Sequence, residues 1–225
     1  MDRTCCRSPN SSASWTGRCA CAKPWRSESP VSMNPGVARP PMDRRLAKSV
    51  RFVSLDVDGV LTDGSIWVGA DADLGAPRDL RRFHALDGLA IRMMQRAGLV
   101  VAFLSGKRSA AVRLRARELD IAEVSLGSRK GKLSALRGML ARRGCTWDQA
   151  AHLGDDLTDL AVMERVGLPA AVVGAVPEVR AGAAWVGTVP GGEGAVREFA
   201  EVLLVARGEW DRLVTEFREG GRFAG

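Results

Sequence analysis

No apolar stretch of the 225-residue chain runs longer than a handful of residues. That is far short of the roughly 18–20 needed to cross a bilayer and excludes a membrane-spanning helix. Five cysteines in this length are too few for a disulfide scaffold and fit a reduced, cytoplasmic compartment. Cys5, Cys6, Cys19 and Cys21 lack the paired C-x-x-C spacing of a zinc knuckle. Aromatic residues are scarce, at 5%. Trp15 and Trp25 stand isolated, without the regular interleaving of a nucleic-acid-binding arm. The early residues also lack the apolar run of about 7–15 residues that a secretory signal requires. The hydrophobic content of 46% in turn excludes wholesale disorder.

The formal charge of +7 invites a nucleic-acid reading, but its distribution argues otherwise. Residues 1–45 hold eight Lys/Arg against three acids, which leaves 25 bases and 23 acids for the rest. Six of the ten prolines and four of the five cysteines also fall before residue 46. This segment has no apolar periodicity and cannot bury enough surface to offset the entropy of ordering. The expected organisation is therefore a disordered basic leader over 1–45, a folded domain over 46–217 and a flexible tail over 218–225. Met33 and Met42 each offer an alternative start upstream of the ordered pattern. A nucleic-acid role would have to reside in the leader and show as salt-sensitive binding lost with it.

From residue 50, short apolar runs alternate with amphipathic stretches. Runs at 50–57, 99–105, 122–124, 150–154, 170–174 and 183–187 read as strands. Helical patterns lie at 88–97, 108–119, 130–143 and 157–166, with a long one at about 194–217. Alternation of this kind predicts an α/β fold, a Rossmann-like three-layer parallel sheet with helices on both faces. Residues 64–84 break the rhythm with two short β-like runs around a Gly/Asp/Pro turn region, read as a β-hairpin insertion too small to be a cap domain. Cys145 reads as a small packing residue before Trp147.

The acids sit at strand ends, where ligands bind in such sheets. The first strand runs into Asp56-Val57-Asp58-Gly59; the strand at 150–154 runs into Asp155-Asp156, with Asp159 a turn later. Carboxylates gathered at buried strand mouths repel one another and carry a desolvation cost, which a bound cation removes. Oxygen donors without Cys or His beside them select a hard ion such as Mg²⁺. Ser105-Gly106 closes the second strand and opens a helix whose amides suit phosphate oxygens. Lys132, near the start of the next helix, adds a point charge. A carboxylate nucleophile, an adjacent acid, a Mg²⁺ site and a phosphate cradle together point to phosphoryl transfer through an aspartyl-phosphate.

The segments LDVDGVLTDG, FLSG, GKLSAL and HLGDDLTDLAVM resemble the haloacid dehalogenase superfamily of aspartate-dependent phosphatases. The segments DGVLTDG, F-x-x-x-D-G at 83–88, GDDL-x-D at 154–159, VGL at 166–168 and GG-x-GAVRE at 191–198 resemble its branch of 3-deoxy-D-manno-octulosonate 8-phosphate phosphatases, over about residues 50–210. The resemblance implies Asp56 as nucleophile and Asp58 as general acid, then base. It implies Mg²⁺ held by Asp56, Asp155 and the backbone carbonyl of Asp58, with Asp156 and Asp159 supporting that shell. Ser105, Gly106 and Lys132 would hold the phosphoryl group, and a small phosphorylated sugar or sugar acid would be the substrate. It also implies a homotetramer formed through the 64–84 hairpin, with neighbouring subunits walling off the site.

Three positions depart from the branch pattern. Leu86 stands where R-D-G is usual, Lys107 where T-G-R is usual, and Glu193 where G-G-R-G is usual. Lys for Arg keeps the charge and loses the planar fork; the other two lose a cation outright. A nonulosonate phosphate or a neutral phosphosugar is therefore an alternative substrate. A catalytically idle fold serving assembly or regulation is an alternative of another class. His84, Lys107 and Arg197 are candidate substrate contacts, Arg197 pairing with an acid being the other reading. His84 or His152 could join Ser105 in a hydrolase triad, although His152 lies within a strand and reads more simply as a packed, hydrogen-bonded core residue. Trp67 on the hairpin reads as a subunit contact.

Overall fold

A computed structural model of the chain describes residues 39–70, 77–128 and 130–220. Among the described residues there are eight strands: β1 (Phe52–Leu55), β2 (Trp67–Ala70), β3 (Pro77–Leu80), β4 (Val100–Ser105), β5 (Glu123–Leu126), β6 (Ala150–Gly154), β7 (Leu168–Ala171) and β8 (Trp185–Val186). Eight α-helices accompany them among the same residues: α1 (Arg44–Ser49), α2 (Ala85–Arg96), α3 (Ala110–Glu118), α4 (Gly131–Arg143), α5 (Leu160–Met163), α6 (Pro177–Gly182), α7 (Ala195–Arg207) and α8 (Trp210–Arg218).

Six strands form one sheet in the order β5-β4-β1-β6-β7-β8, every neighbouring pair parallel. Side chains alternate between its faces. Val53, Leu55, Val101, Phe103, Ala151 and Leu153 enter a core with α1, α2, α7 and α8. Phe52, Ala102, Leu104 and Ala150 enter a second core with Leu136, Met139 and Leu140 of α4 and Val162 of α5. Burial on both faces is why these strands are almost continuously apolar. The expected three-layer α/β arrangement is present, and β2 and β3 form the expected antiparallel hairpin, Trp67 opposite Leu80. Among the described residues, only this hairpin and α2 separate the turn after β1 from β4.

The register fixes the site. Leu55 lies level with Phe103 on one side and Leu153 on the other. The residues that follow these three strands therefore emerge together, at the point where the chain's crossovers leave β1 in opposite directions.

Four boundaries differ from the sequence expectation. Order begins before residue 46: Met42 is buried in the core, Asp43 accepts the Arg45 and Leu46 amides to cap α1, and Trp185 Nε1 donates to the Pro40 carbonyl at 3.0 Å. The remainder of the expected leader, residues 1–38, lies outside the described residues, as do residues 221–225 of the expected tail. The long helix at 194–217 is two helices, because Gly208 at φ 79° closes α7 with its amide on Leu204 and Val205 carbonyls. The helix at 157–166 shortens to a tight turn at 157–159 plus α5, because Asp156 and Asp159 cap each other's backbone there. The chain also forms α6, opened by Pro177 at its first position.

Candidate active site

The turn after β1 carries the first acids. Val57–Leu61 is irregular, with Asp58 at φ −80°, ψ 108° and Gly59 at φ 99°. A side chain at Gly59 would put its Cβ 1.9 Å from Asp155 Oδ2, and one at Gly191 would reach 1.8 Å from the Gly59 carbonyl oxygen. These two glycines let the β1 turn, the β6 turn and the 191–194 loop close on one another.

Asp56 is buried, and its Oδ1 accepts from Lys132 Nζ at 2.7 Å. The same ammonium donates to Asp159 Oδ1 at 2.6 Å. His152 Nε2 donates to that Asp159 oxygen at 2.8 Å, and its Nδ1 meets Ser54 Oγ at 2.8 Å. The His152 tautomer follows from its partner, since an ionised Asp159 can only accept. Asp159 Oδ2 accepts the Asp155 and Asp156 amides at 3.3 and 3.4 Å. His152 is thus the packed core residue of the strand reading, bracing Asp159 and taking no part in a triad. Its side chain and that of Ser54 leave the sheet on the α4 face because both occupy the same parity of their strands.

The electrostatics sort these acids. Burial, then the charge of Asp159, pushes Asp56 up to about 7 against the pull of Lys132. Burial pushes Asp155 up to about 6, reinforced by Asp159 and opposed by a hydrogen bond with Asp56. Asp159 goes the other way: burial would raise it, but His152 and Lys132 outweigh burial and hold it well below the carboxylate range. Burial alone would lower Lys132, yet the charges of Asp56 and Asp159 keep it above its ordinary value.

Single oxygens of Asp56, Asp155 and Asp159 lie within 4.8 Å of one another. Asp159 spends both oxygens on Lys132, His152 and two amides, so it braces the cluster. Asp155 Oδ1 is buried and has no hydrogen-bond partner among the described residues. An unpartnered buried carboxylate oxygen is costly, and Asp56 and Asp155 are both pushed toward their protonated forms. An all-oxygen donor set with that deficit of positive charge fits a hard divalent cation. Asp156 stands at the rim, its Oδ1 accepting the Leu157 amide at 2.8 Å.

Asp58 points across the mouth. Its Oδ2 accepts from Ser105 Oγ at 3.3 Å, and Ser105 Oγ also accepts the Lys107 amide at 3.1 Å. A cavity of about 290 Å³ is lined by Asp56, Asp58, Ser105, Gly106, Lys107, Lys132, Asp155 and Asp156, together with Gly64 and Thr158. Nothing in the sequence pattern marks the last two as site residues. Of the three expected substrate contacts only Lys107 lines this cavity. Arg197 turns away: its guanidinium lies 5.1 Å over the Trp210 ring and its Nε reaches the acid Glu201 at 3.4 Å. His84 sits just before α2, its ring beside Gly194 and its Nδ1 buried. Leu86 is half exposed, and Glu193 pairs with Arg82 at 2.5 Å. Asp87 of the D-G pair reaches across to accept the Arg197 amide at 2.8 Å at the start of α7. Burial pushes it up to about 6.

The arrangement supplies a buried carboxylate beside an ammonium, a second carboxylate across the opening, a seat for a divalent cation, and a hydroxyl and amides for an anion. No protein-family model matches the chain. Curated 3-deoxy-D-manno-octulosonate 8-phosphate phosphatase KdsC of Escherichia coli (strain K12) is 37% identical over 165 residues, 73% of this chain and 85% of that protein. Among solved structures, the 3-deoxy-D-manno-octulosonate 8-phosphate phosphatase of Moraxella catarrhalis, in complex with magnesium, phosphate and KDO, superposes with a TM-score of 0.71 at 32% identity. The match covers 77% of this chain and 97% of that one. A HAD superfamily (subfamily III A) hydrolase of Legionella pneumophila superposes with a TM-score of 0.71 at 34% identity, over 78% of this chain and 93% of that one.

Proposed function

The chain belongs to the haloacid dehalogenase superfamily, in its branch of 3-deoxy-D-manno-octulosonate 8-phosphate phosphatases, and from that premise we propose that this phosphoric monoester hydrolase is Mg²⁺-dependent and acts on 3-deoxy-D-manno-octulosonate 8-phosphate. The observation that carries the reading is the convergence of Asp56 and Asp155 with Lys132 and Ser105 at the mouths of β1, β6 and β4.

In this reading Asp56 and Asp155, with the backbone carbonyl of Asp58, would hold a divalent ion, whose charge would offset the repulsion between Asp56 and the phosphate. Lys132 and Ser105, with the amides that follow Ser105, orient the phosphoryl oxygens. The Asp56 carboxylate attacks phosphorus as the ester P–O bond breaks, and Asp58 gives its proton to the departing alkoxide. Asp58 then takes a proton from water as that water attacks the aspartyl-phosphate, which frees inorganic phosphate and restores Asp56. His152 and Asp159 hold Lys132 in place throughout.

In this reading the phosphoryl end sits between Asp56, Ser105 and Lys132, and the sugar extends from there toward the cavity mouth. Exposed Ile66, Trp67 and Leu80 on the hairpin suit burial against further copies of the chain, and a homotetramer completing the rim belongs to the same reading. So does a cytoplasmic location; no helix among the described residues is long and apolar enough to cross a membrane. Leu86 and the Arg82–Glu193 pair favour a second reading, a nonulosonate or neutral phosphosugar. The test is phosphate release by purified protein with MgCl₂ from octulosonate 8-phosphate, a nonulosonate 9-phosphate and neutral hexose phosphates. The first reading expects the highest kcat/KM on octulosonate 8-phosphate; a higher value on either of the others supports the second. No release from any phosphomonoester contradicts both and leaves an assembly or regulatory role.

A further inference from the structure

Arg81 lies outside every motif so far assigned a role. It follows β3, and its side chain is only 6% exposed. Its Nε lies 3.3 Å from Asp58 Oδ1, and its Nη1 lies 3.7 Å from Asp79 Oδ1. Neither Arg81 Nε nor Asp58 Oδ1 has an aligned hydrogen bond among the described residues, so the contact is ionic. Asp79 is itself fixed: its Oδ2 accepts from Ser109 Oγ at 2.6 Å and from the Ala111 amide at 3.3 Å, at the opening turn of α3. A guanidinium this enclosed is tolerated only where its carboxylate partners stay close.

We propose that Arg81 is a positioning residue for Asp58, holding its carboxyl toward the leaving-group oxygen; this rests on Asp58 being the proton donor of the reading above. Asp58 has two supports, one on each oxygen. Ser105 supports Oδ2 and is also the hydroxyl that a phosphate would recruit. Once phosphate takes that hydroxyl, the Arg81 contact at Oδ1 is the hold that remains. Asp79 and Ser109 make the hold stiff by tying Arg81 to α3. The downstream strand of the hairpin is thereby joined to the acid of the reaction, and hairpin geometry sets acid geometry.

The test compares the full chain with Arg81→Met and Arg81→Lys, each shown to be folded by its thermal transition. kcat/KM is measured with MgCl₂ on an alkyl phosphate, whose leaving group needs a proton, and on a nitrophenyl phosphate, whose leaving group needs little. Misplacing a general acid costs on the order of 10²-fold. Arg81→Met is expected to lose about that much on the alkyl ester, at most about tenfold on the aryl ester, with KM changed by no more than about threefold. Arg81→Lys is expected to recover most of the alkyl activity; if the Met variant does not fold, Arg81→Gln takes its place, with the same contrast between the two esters expected. Equal loss on both esters, or loss on neither, overturns the proposal. Wild-type protein inactive on both esters instead overturns the phosphatase reading and, with it, this one.

Discussion

Replacing the nucleophile should stabilise the metal-free protein, even as it abolishes turnover. Asp56 sits at about 7 in the folded chain, from 3.8 for a free side chain. The folded state therefore binds a proton that the unfolded state has released, over the window from about pH 4 to about pH 7. Stability falls as pH rises through that window, and the whole penalty is present above it. An upward displacement of about three pH units corresponds to about 4 kcal/mol. That displacement is already net of the attraction from Lys132 Nζ at 2.7 Å, so Asp56→Asn removes the penalty whole. The gain at pH 8 is up to about 4 kcal/mol, or about 8–16 °C for a chain of this size. At pH 5, where Asp56 is mostly protonated in the folded chain, the gain falls to about 1–2 kcal/mol. Thermal unfolding in EDTA at pH 5 and pH 8 reads this directly. A variant less stable than wild type at pH 8, or a difference that does not change with pH, refutes the reasoning. Saturating Mg²⁺ should return the advantage to wild type, because the ion binds the Asp56 carboxylate and not the amide.

Gly59→Ala forces a Cβ onto Asp155 at a φ of 99°; it should cost about 1–3 kcal/mol of stability and raise the Mg²⁺ concentration for half-maximal activity at least about tenfold, read by metal titration of phosphatase activity. Lys132→Met leaves Asp56 and Asp159 without their shared cation; the metal-free protein should lose about 3–5 kcal/mol, and its melting temperature should rise more on adding Mg²⁺ than that of wild type. Leu86→Arg restores a cation on the half-exposed first turn of α2 and should raise kcat/KM on octulosonate 8-phosphate relative to neutral phosphosugars; an unchanged ratio would place position 86 away from the substrate. Trp67→Ser with Leu80→Ser removes the opposed apolar pair of the hairpin and should lower the solution mass measured by light scattering.

The chemistry-bearing residues were legible because they are polar where the strand pattern demands apolar continuity. Asp56, Ser105 and Asp155 each end or follow such a run, and parallel register brings the ends level without further information. Lys132 was legible as a charge near a helix start, although its pairing with both Asp56 and Asp159 depends on α4 packing over the face that carries Ser54 and His152. Contacts set by the path of an insertion were not legible. Arg81 reaches Asp58 only because the hairpin returns beside the β1 turn, and nothing in the local pattern of D-L-R-R separates Arg81 from exposed Arg82. The direction of Arg197 was similarly hidden: its position on α7 is periodic, but Trp210 draws it away because Gly208 ends the helix and folds α8 back. Asp87 reads as a motif acid from sequence, whereas its distance from the start of α7 is set by the packing of α2 on α7.

The most direct test of the account is the site of covalent phosphorylation. Asp58→Ala protein mixed with nitrophenyl phosphate and Mg²⁺, quenched in acid and digested, should carry one phosphoryl group on the peptide containing Asp56, because transfer to that carboxylate proceeds while hydrolysis lacks its base. A phosphoryl group on another residue, or none on Asp56 while nitrophenol is released, would contradict the assignment of Asp56 as nucleophile.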